Sequence, residues 1–115
     1  VLDVDMRDPT PTGDELVQVM ATLSNPHRLR VVAALSAGGR KYVSLLAREL
    51  DISRALLQVH LKKLEAAGLV SSQLELSEDG KAMKFYEVSP FSVHLTPECV
   101  ESAVETLTME KGPSR

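Results

Sequence analysis

Apolar positions recur in two rhythms along this chain, and the change from one to the other divides it. Leu16, Met20 and Leu23 fall at i, i+4 and i+7 with Val17 and Val19 beside them, which predicts a first, strongly apolar helix. It is expected to begin near Thr12 to Asp14, where a side-chain oxygen can accept from the first free amides. Ser24-Asn25-Pro26 restarts the chain: Asn25 is placed to cap, and Pro26 costs no hydrogen bond in a first helical turn. The second helix is expected to bury Leu29, Val32, Ala33 and Leu35 and to stop at Gly38-Gly39. Val43, Leu46, Ala47 and Leu50 then give i, i+3, i+4, i+7 for a short third helix. Asp51-Ile52-Ser53 is a short break, with Ser53 as the cap of a fourth helix striped by Leu57, Leu61 and Leu64 and closed by Gly68.

Past Gly68 the period becomes two. Val70, Leu74 and Leu76 alternate with Ser71, Gln73 and Glu75, the pattern of a half-buried strand. Glu78-Asp79-Gly80-Lys81 is a turn, since Asp-Gly favours tight hairpins, and Met83, Phe85 and Val88 line the returning strand. Thr96-Pro97 is a further cap with a first-turn proline. Val100, Ala103, Val104 and Leu107 repeat the helical period in a last helix expected to run to Lys111-Gly112-Pro113.

The order is helix, helix, helix, tight turn, helix, hairpin, helix. A link of three residues makes two helices cross steeply and leaves the second projecting from the surface, which is the helix-turn-helix arrangement. The expected fold class is therefore mainly α, an α+β winged helix. It has a three- to four-helix core with a helix-turn-helix, a two-stranded β-hairpin wing and a C-terminal helix. Residues 1–12 read as a mobile arm, 13–110 as the domain and 111–115 as a tail.

Charge sharpens this. The net charge of the 115 residues is -3, which by itself disfavours nucleic acid. Between Arg40 and Lys63, however, six basic residues (Arg40, Lys41, Arg48, Arg54, Lys62, Lys63) face two acidic ones (Glu49, Asp51), a local +4. The acids gather near the two ends. An acidic body with one basic face suits a protein that meets phosphate on one side.

Three stretches resemble the arsenic-repressor (ArsR) family of bacterial winged-helix regulators. Residues Leu23 to Val32 are similar to its second-helix signature, Val43 to Ser53 to its helix-turn segment, and His60 to Val70 to the end of its recognition helix. The Leu64-Glu65-Ala66-Ala67-Gly68-Leu69-Val70 ending is also similar to the multiple-antibiotic-resistance (MarR) regulators. The resemblance implies a sequence-specific transcriptional regulator, a repressor, that binds double-stranded DNA. Recognition helix 53–67 would lie in the major groove and wing 77–84 on the backbone or in the minor groove. It implies a homodimer joined by the first and last helices. The apolar Leu16, Met20, Leu23 and Val100, Val104, Leu107 stripes agree with that.

Early turns of a recognition helix face base edges, which singles out Ser53, Arg54, Ala55 and Gln58. Arg54 can donate two hydrogen bonds to guanine, and Gln58 can pair with adenine. Arg40, Lys41, Ser44 and Lys62 are better placed for phosphates, with Lys81 and Lys84 as wing cations. Family members often carry Ser and His where Gln58 and Val59 stand, so the base preference of this chain is its own.

Other chemistry finds less support. Family members that hold metals on the third helix use a cysteine pair, and Ser44 to Asp51 contains none. A metal-responsive repressor would have to use His94, Glu98, Glu101 and Glu105, a thin ligand set for zinc. No metal and no cofactor is expected. The one cysteine, Cys99, excludes an intrachain disulfide and reads as a small apolar filler. His27 reads as a surface residue, and His60 as packing beside the leucine stripe. A Gly-rich phosphate loop, paired catalytic carboxylates and a nucleophile–base spacing are all missing, so an enzyme is not expected. The start lacks a basic, apolar leader and no apolar run is long enough to insert in a membrane. A cytoplasmic protein follows, with an unidentified small-molecule or protein effector. The competing reading is a winged-helix module for protein–protein contact or signal relay without DNA.

Overall fold

The structure is a computed structural model, and it describes residues 11–108. Most of the expected arm (1–12) and all of the tail (111–115) lie outside the described residues. Five helices and three short strands follow in the order α1 (Gly13–Leu23), α2 (Pro26–Gly38), β1 (Lys41–Tyr42), α3 (Val43–Leu50), α4 (Arg54–Ala66), β2 (Val70–Leu76), β3 (Ala82–Val88) and α5 (Pro97–Val104). This is the expected mainly helical winged helix, with one strand more than the pattern predicts.

The helix starts are set by local chemistry. The Thr12 hydroxyl accepts from the Glu15 amide at 3.1 Å, and the Glu15 carboxylate accepts from the Thr12 amide at 3.0 Å. Asn25, Ser53 and Thr96 accept from Arg28, Leu56 and Cys99 amides in the same way. Between α3 and α4 the chain turns at Asp51, whose φ of 57° is left-handed. Aspartate tolerates that region better than most residues, so a three-residue link suffices.

The core is aliphatic. Val31 and Leu35 of α2, Leu46 of α3 and Leu57, Leu61 and Leu64 of α4 are fully buried together with Leu69, Val70 and Tyr86. The second helix departs from expectation: Leu29 (53% exposed) and Ala33 face outward, and the buried line is Val31 and Leu35. Apolar residues ring α2 almost completely, so period alone could not choose its inner face; the neighbouring helices do.

The sheet runs β1-β3-β2, antiparallel throughout, with Ser72 opposite Tyr86 and Leu76 opposite Ala82. Val70 and Tyr86 sit on one face of the hairpin root, under the helices. Leu74 (68% exposed) and Leu76 (76%) share that face but not its cover, contrary to the half-buried strand expected. The strands outrun the helical layer, and alternation without a covering layer gives no burial. Gly80, at φ 84°, makes the hairpin turn, where the Ser77 hydroxyl donates to Asp79 and lowers its carboxyl pKa.

At the other end α5 packs on α1. Cys99 and Ala103 are buried against it, and the Gly13 amide donates to the Thr106 hydroxyl at 2.8 Å. The helix ends at Val104, before the stop expected at Lys111-Gly112-Pro113, which lies outside the described residues.

Candidate nucleic-acid interface

The exposed face of α4 follows from its buried one. With Leu57, His60, Leu61 and Leu64 turned inward, Arg54, Ala55, Val59 and Lys62 face solvent and Gln58 is half-buried at the edge. Ser53 is exposed and spends its hydroxyl on capping the helix, which leaves the oxygen committed to Leu56. Val59, 50% exposed in the middle of this face, was not singled out by sequence. It lies next to Gln58 and one turn after Ala55, and only knowing which helix face is free reveals it.

Between α4 and the wing lies a cleft of about 220 Å³ lined by Tyr42, Ser44, Arg54, Gln58, Met83 and Lys84, among others. Four residues predicted from separate parts of the chain (Ser44, Arg54, Gln58, Lys84) thus meet on one concavity. Ser44 lies in the first turn of α3, whose N-cap Tyr42 makes no side-chain cap bond. The first amides of that helix are therefore left for solvent or an anion. Lys84 is exposed, with its ammonium 5.5 Å from the centre of the Tyr86 ring, and Lys81 stands exposed by the hairpin turn.

Arg40 and Lys41 behave differently from the free phosphate contacts expected. Arg40 Nη1 and Nη2 reach Glu75 at 2.7 and 3.2 Å, and the guanidinium lies 4.0 Å from the centre of the Phe85 ring. Its pKa is raised, first by the hydrogen bond to Glu75. Phe85 in turn stacks on Tyr42 at 4.2 Å. Lys41 donates to Glu49 at 3.3 Å. Both cations are held by carboxylates from the acidic positions of β2 and α3, so their charge reaches the surface partly neutralised.

The expected dimer residues separate into two groups. Met20, Val100, Val104 and Leu107 are exposed apolar side chains, joined by Val17 and Leu95. Leu16 is buried within the chain, and Leu23 is half-buried. Both border an open apolar groove of about 610 Å³ together with Val19, Met20, Phe91 and Val93.

A family model described as a helix-turn-helix domain matches residues 23–73. An HTH-type transcriptional regulator of Methanocaldococcus jannaschii is 34% identical over 91 residues, covering 79% of this chain and 94% of that protein. The chain belongs to the helix-turn-helix family of transcriptional regulators. Its winged form is shared with solved structures at lower identity. HlyU from Vibrio cholerae superposes with a TM-score of 0.57 at 23% identity, over 80% of this chain and 87% of that one. A homodimeric winged helix-turn-helix DNA-binding domain from Mycobacterium bovis, described as a possible ArsR-family regulator, gives 0.57 at 23% identity over 65% and 64%. In this helix-turn-helix regulator the matched residues run from the end of α1 through α2, α3 and α4 into β2, and so contain both helices of the motif.

Among the described residues no His, Cys, Asp or Glu side chains converge as a metal-holding group, so His94, Glu98, Glu101 and Glu105 do not form one. No described helix is long and apolar enough to cross a membrane. Cys99 is a buried free thiol, in keeping with a filler. His60 is buried as expected, but it stacks on His27 at 5.3 Å, which makes His27 part of an internal contact.

Proposed function

We propose that this helix-turn-helix regulator is a cytoplasmic, homodimeric repressor that binds specific double-stranded DNA sequences through α4 and the wing. The observation that carries the reading is the cleft in which Arg54 and Gln58 of α4 meet Ser44 and Lys84. Two side chains suited to base edges share this cleft with two suited to phosphates. Ser53, Ala55 and Val59 complete the base-facing surface, with Lys62, Lys81 and the open α3 N-terminus on the backbone. Arg40 and Lys41 join only on leaving Glu75 and Glu49.

The exposed Met20, Val100, Val104 and Leu107 support a dimer through α1 and α5, as does the homodimeric form of the Mycobacterium bovis neighbour. Two recognition helices would then address half-sites roughly 34 Å apart. The domain proper is residues 13–110, the role is regulatory without catalysis, and an effector of unidentified chemistry would act through it.

The test is fluorescence anisotropy or gel shift with DNA upstream of its own gene and with a genomic fragment pool. Saturable binding at low salt that favours a subset of fragments supports the reading; no binding to any fragment sinks it. A second reading, a winged-helix module that docks a protein, is favoured by the bare Leu74 and Leu76 of the wing. Salt-insensitive binding of a protein without DNA affinity would select it.

A further inference from the structure

A second concavity lies on the far flank of α4. Its volume is about 380 Å³, and it is lined by Gln18, Ala21 and Thr22 of α1, Arg28 of α2, and Lys63 and Ala66 of α4. Lys63 stands five residues beyond Gln58, which at 100° per residue turns it about 140° away around the helix. It therefore lies outside the cleft that faces the wing.

The chemistry of this concavity is one-sided. It contains two cations and no carboxylate. Among the described residues neither Arg28 nor Lys63 forms an ion pair; the ion pairs found are Arg40–Glu75 and Lys41–Glu49. Arg28 is already positioned: its Nε donates to the Thr22 carbonyl at 2.6 Å and its Nη1 lies 3.3 Å from His60 Nδ1. That leaves Nη2 and one Nη1 hydrogen free. Gln18 donates to the Ala66 carbonyl at 3.2 Å, which leaves its second amide hydrogen. Lys63 has three donors, and among the described residues none of them meets a hydrogen-bond or ion-pair partner.

Behind this wall the two imidazoles of His27 and His60 stack, and His60 Nε2 is buried without a partner. The groups facing His60 are Arg28 and His27 from α2 and Lys63 from its own helix, all of them cationic or neutral. The hollow is thus rich in donors, and its lining holds no carboxylate to satisfy them.

We infer that the concavity between α1, α2 and α4 binds a small free anion of the phosphate or carboxylate class through Arg28, Lys63 and Gln18. Guanidinium and ammonium donors suit such oxyanions, and a fixed guanidinium loses little freedom on binding. Two of the groups involved, Lys63 and His60, belong to the recognition helix, so occupancy acts directly on α4. The site itself does not rest on the DNA-binding reading.

The test uses the whole chain without DNA. Inorganic phosphate, pyrophosphate and citrate are titrated at constant ionic strength, with chloride as the control, while NMR follows the His60 and His27 rings. A bound anion beside Arg28 favours the imidazolium, so the expected result is saturable shifts and an upward move of the His60 pKa. Lys63→Gln, at an exposed position, should weaken binding roughly tenfold, as expected for losing one charge-assisted hydrogen bond. Arg28→Lys keeps the charge and loses the fork, and should weaken it too. Shifts that do not saturate, that chloride reproduces, or that survive Lys63→Gln unchanged overturn the inference. So does a Lys63→Gln protein whose DNA binding loses about one unit of salt slope, because the lysine would then be a contact to DNA phosphate.

Discussion

Arg28 Nη1 lies 3.3 Å from His60 Nδ1. A guanidinium only donates, so Nδ1 must accept, and His60 is neutral with its proton on Nε2. Its pKa is lowered from 6.5, first by burial and then by the charge of Arg28, with His27 and Lys63 adding to it. Between the folded pKa and about 6.5 the unfolded chain binds more protons than the native one. Stability from this group is therefore complete above that window, falls as pH drops through 6.5, and levels off below the folded pKa. Urea midpoints at pH 7.5 and pH 5.0 should differ more for the wild type than for His60→Phe. An equal difference for both would remove His60 as the source.

Gly13 sits where α1 and the end of α5 nearly touch. A Cβ there would lie 2.4 Å from the Ala103 carbonyl oxygen and 2.9 Å from Leu107 Cα. Both obstacles are backbone and cannot rotate aside. Gly13→Ala should cost about 1–3 kcal/mol, the usual range for overpacking, although alanine is the better helix former. A lower thermal midpoint checks this. Because the displaced helix carries Val100 and Val104, the proposed dimer should also weaken in sedimentation.

Arg40 offers a different kind of test. Its bond to Glu75 is half-exposed, and such solvated pairs add little to stability. Glu75→Gln should therefore leave the unfolding midpoint almost unchanged. It should also free a guanidinium at the wing root, tightening DNA binding at low salt and steepening its salt dependence by about one unit. Unchanged affinity would place Arg40 outside the DNA contact and leave it as a brace over Phe85.

Period and punctuation predict each of the described helices, because capping oxygens, prolines and glycines act locally. Thr12, Asn25, Ser53 and Thr96 cap where expected. What escaped was tertiary. The strand at Lys41-Tyr42 exists only by pairing with β3 across some forty residues. Tyr86, one of the most buried side chains, falls outside the apolar pattern of its strand, whereas Leu74 and Leu76 fit the pattern of a core face and are exposed. The site divides in the same way. Arg54, Gln58, Ser44 and Lys84 were legible because helix ends and hairpins place them. The capture of Arg40 by Glu75 and the exposure of Val59 depended on which faces pack.

Val59 is the residue through which the base-facing surface can be tested most sharply. It is an exposed apolar side chain beside Gln58, and in the major groove the only apolar feature on a base pair is the thymine methyl. Gln58 on adenine would set Val59 against a thymine. On a site selected from random duplexes, replacing each thymine in turn by deoxyuridine removes one methyl. At one position this should cost the wild type about 0.8 kcal/mol, the transfer value of a buried methylene, and cost Val59→Ala almost nothing. Arg54→Ala and Gln58→Ala should each lose about 1–3 kcal/mol and relax preference at a single base pair. Lys62→Ala should instead weaken all sequences alike and lower the salt slope by about one. If no deoxyuridine separates Val59→Ala from the wild type while binding stays specific, Val59 faces solvent in the complex and the polar side chains carry the readout.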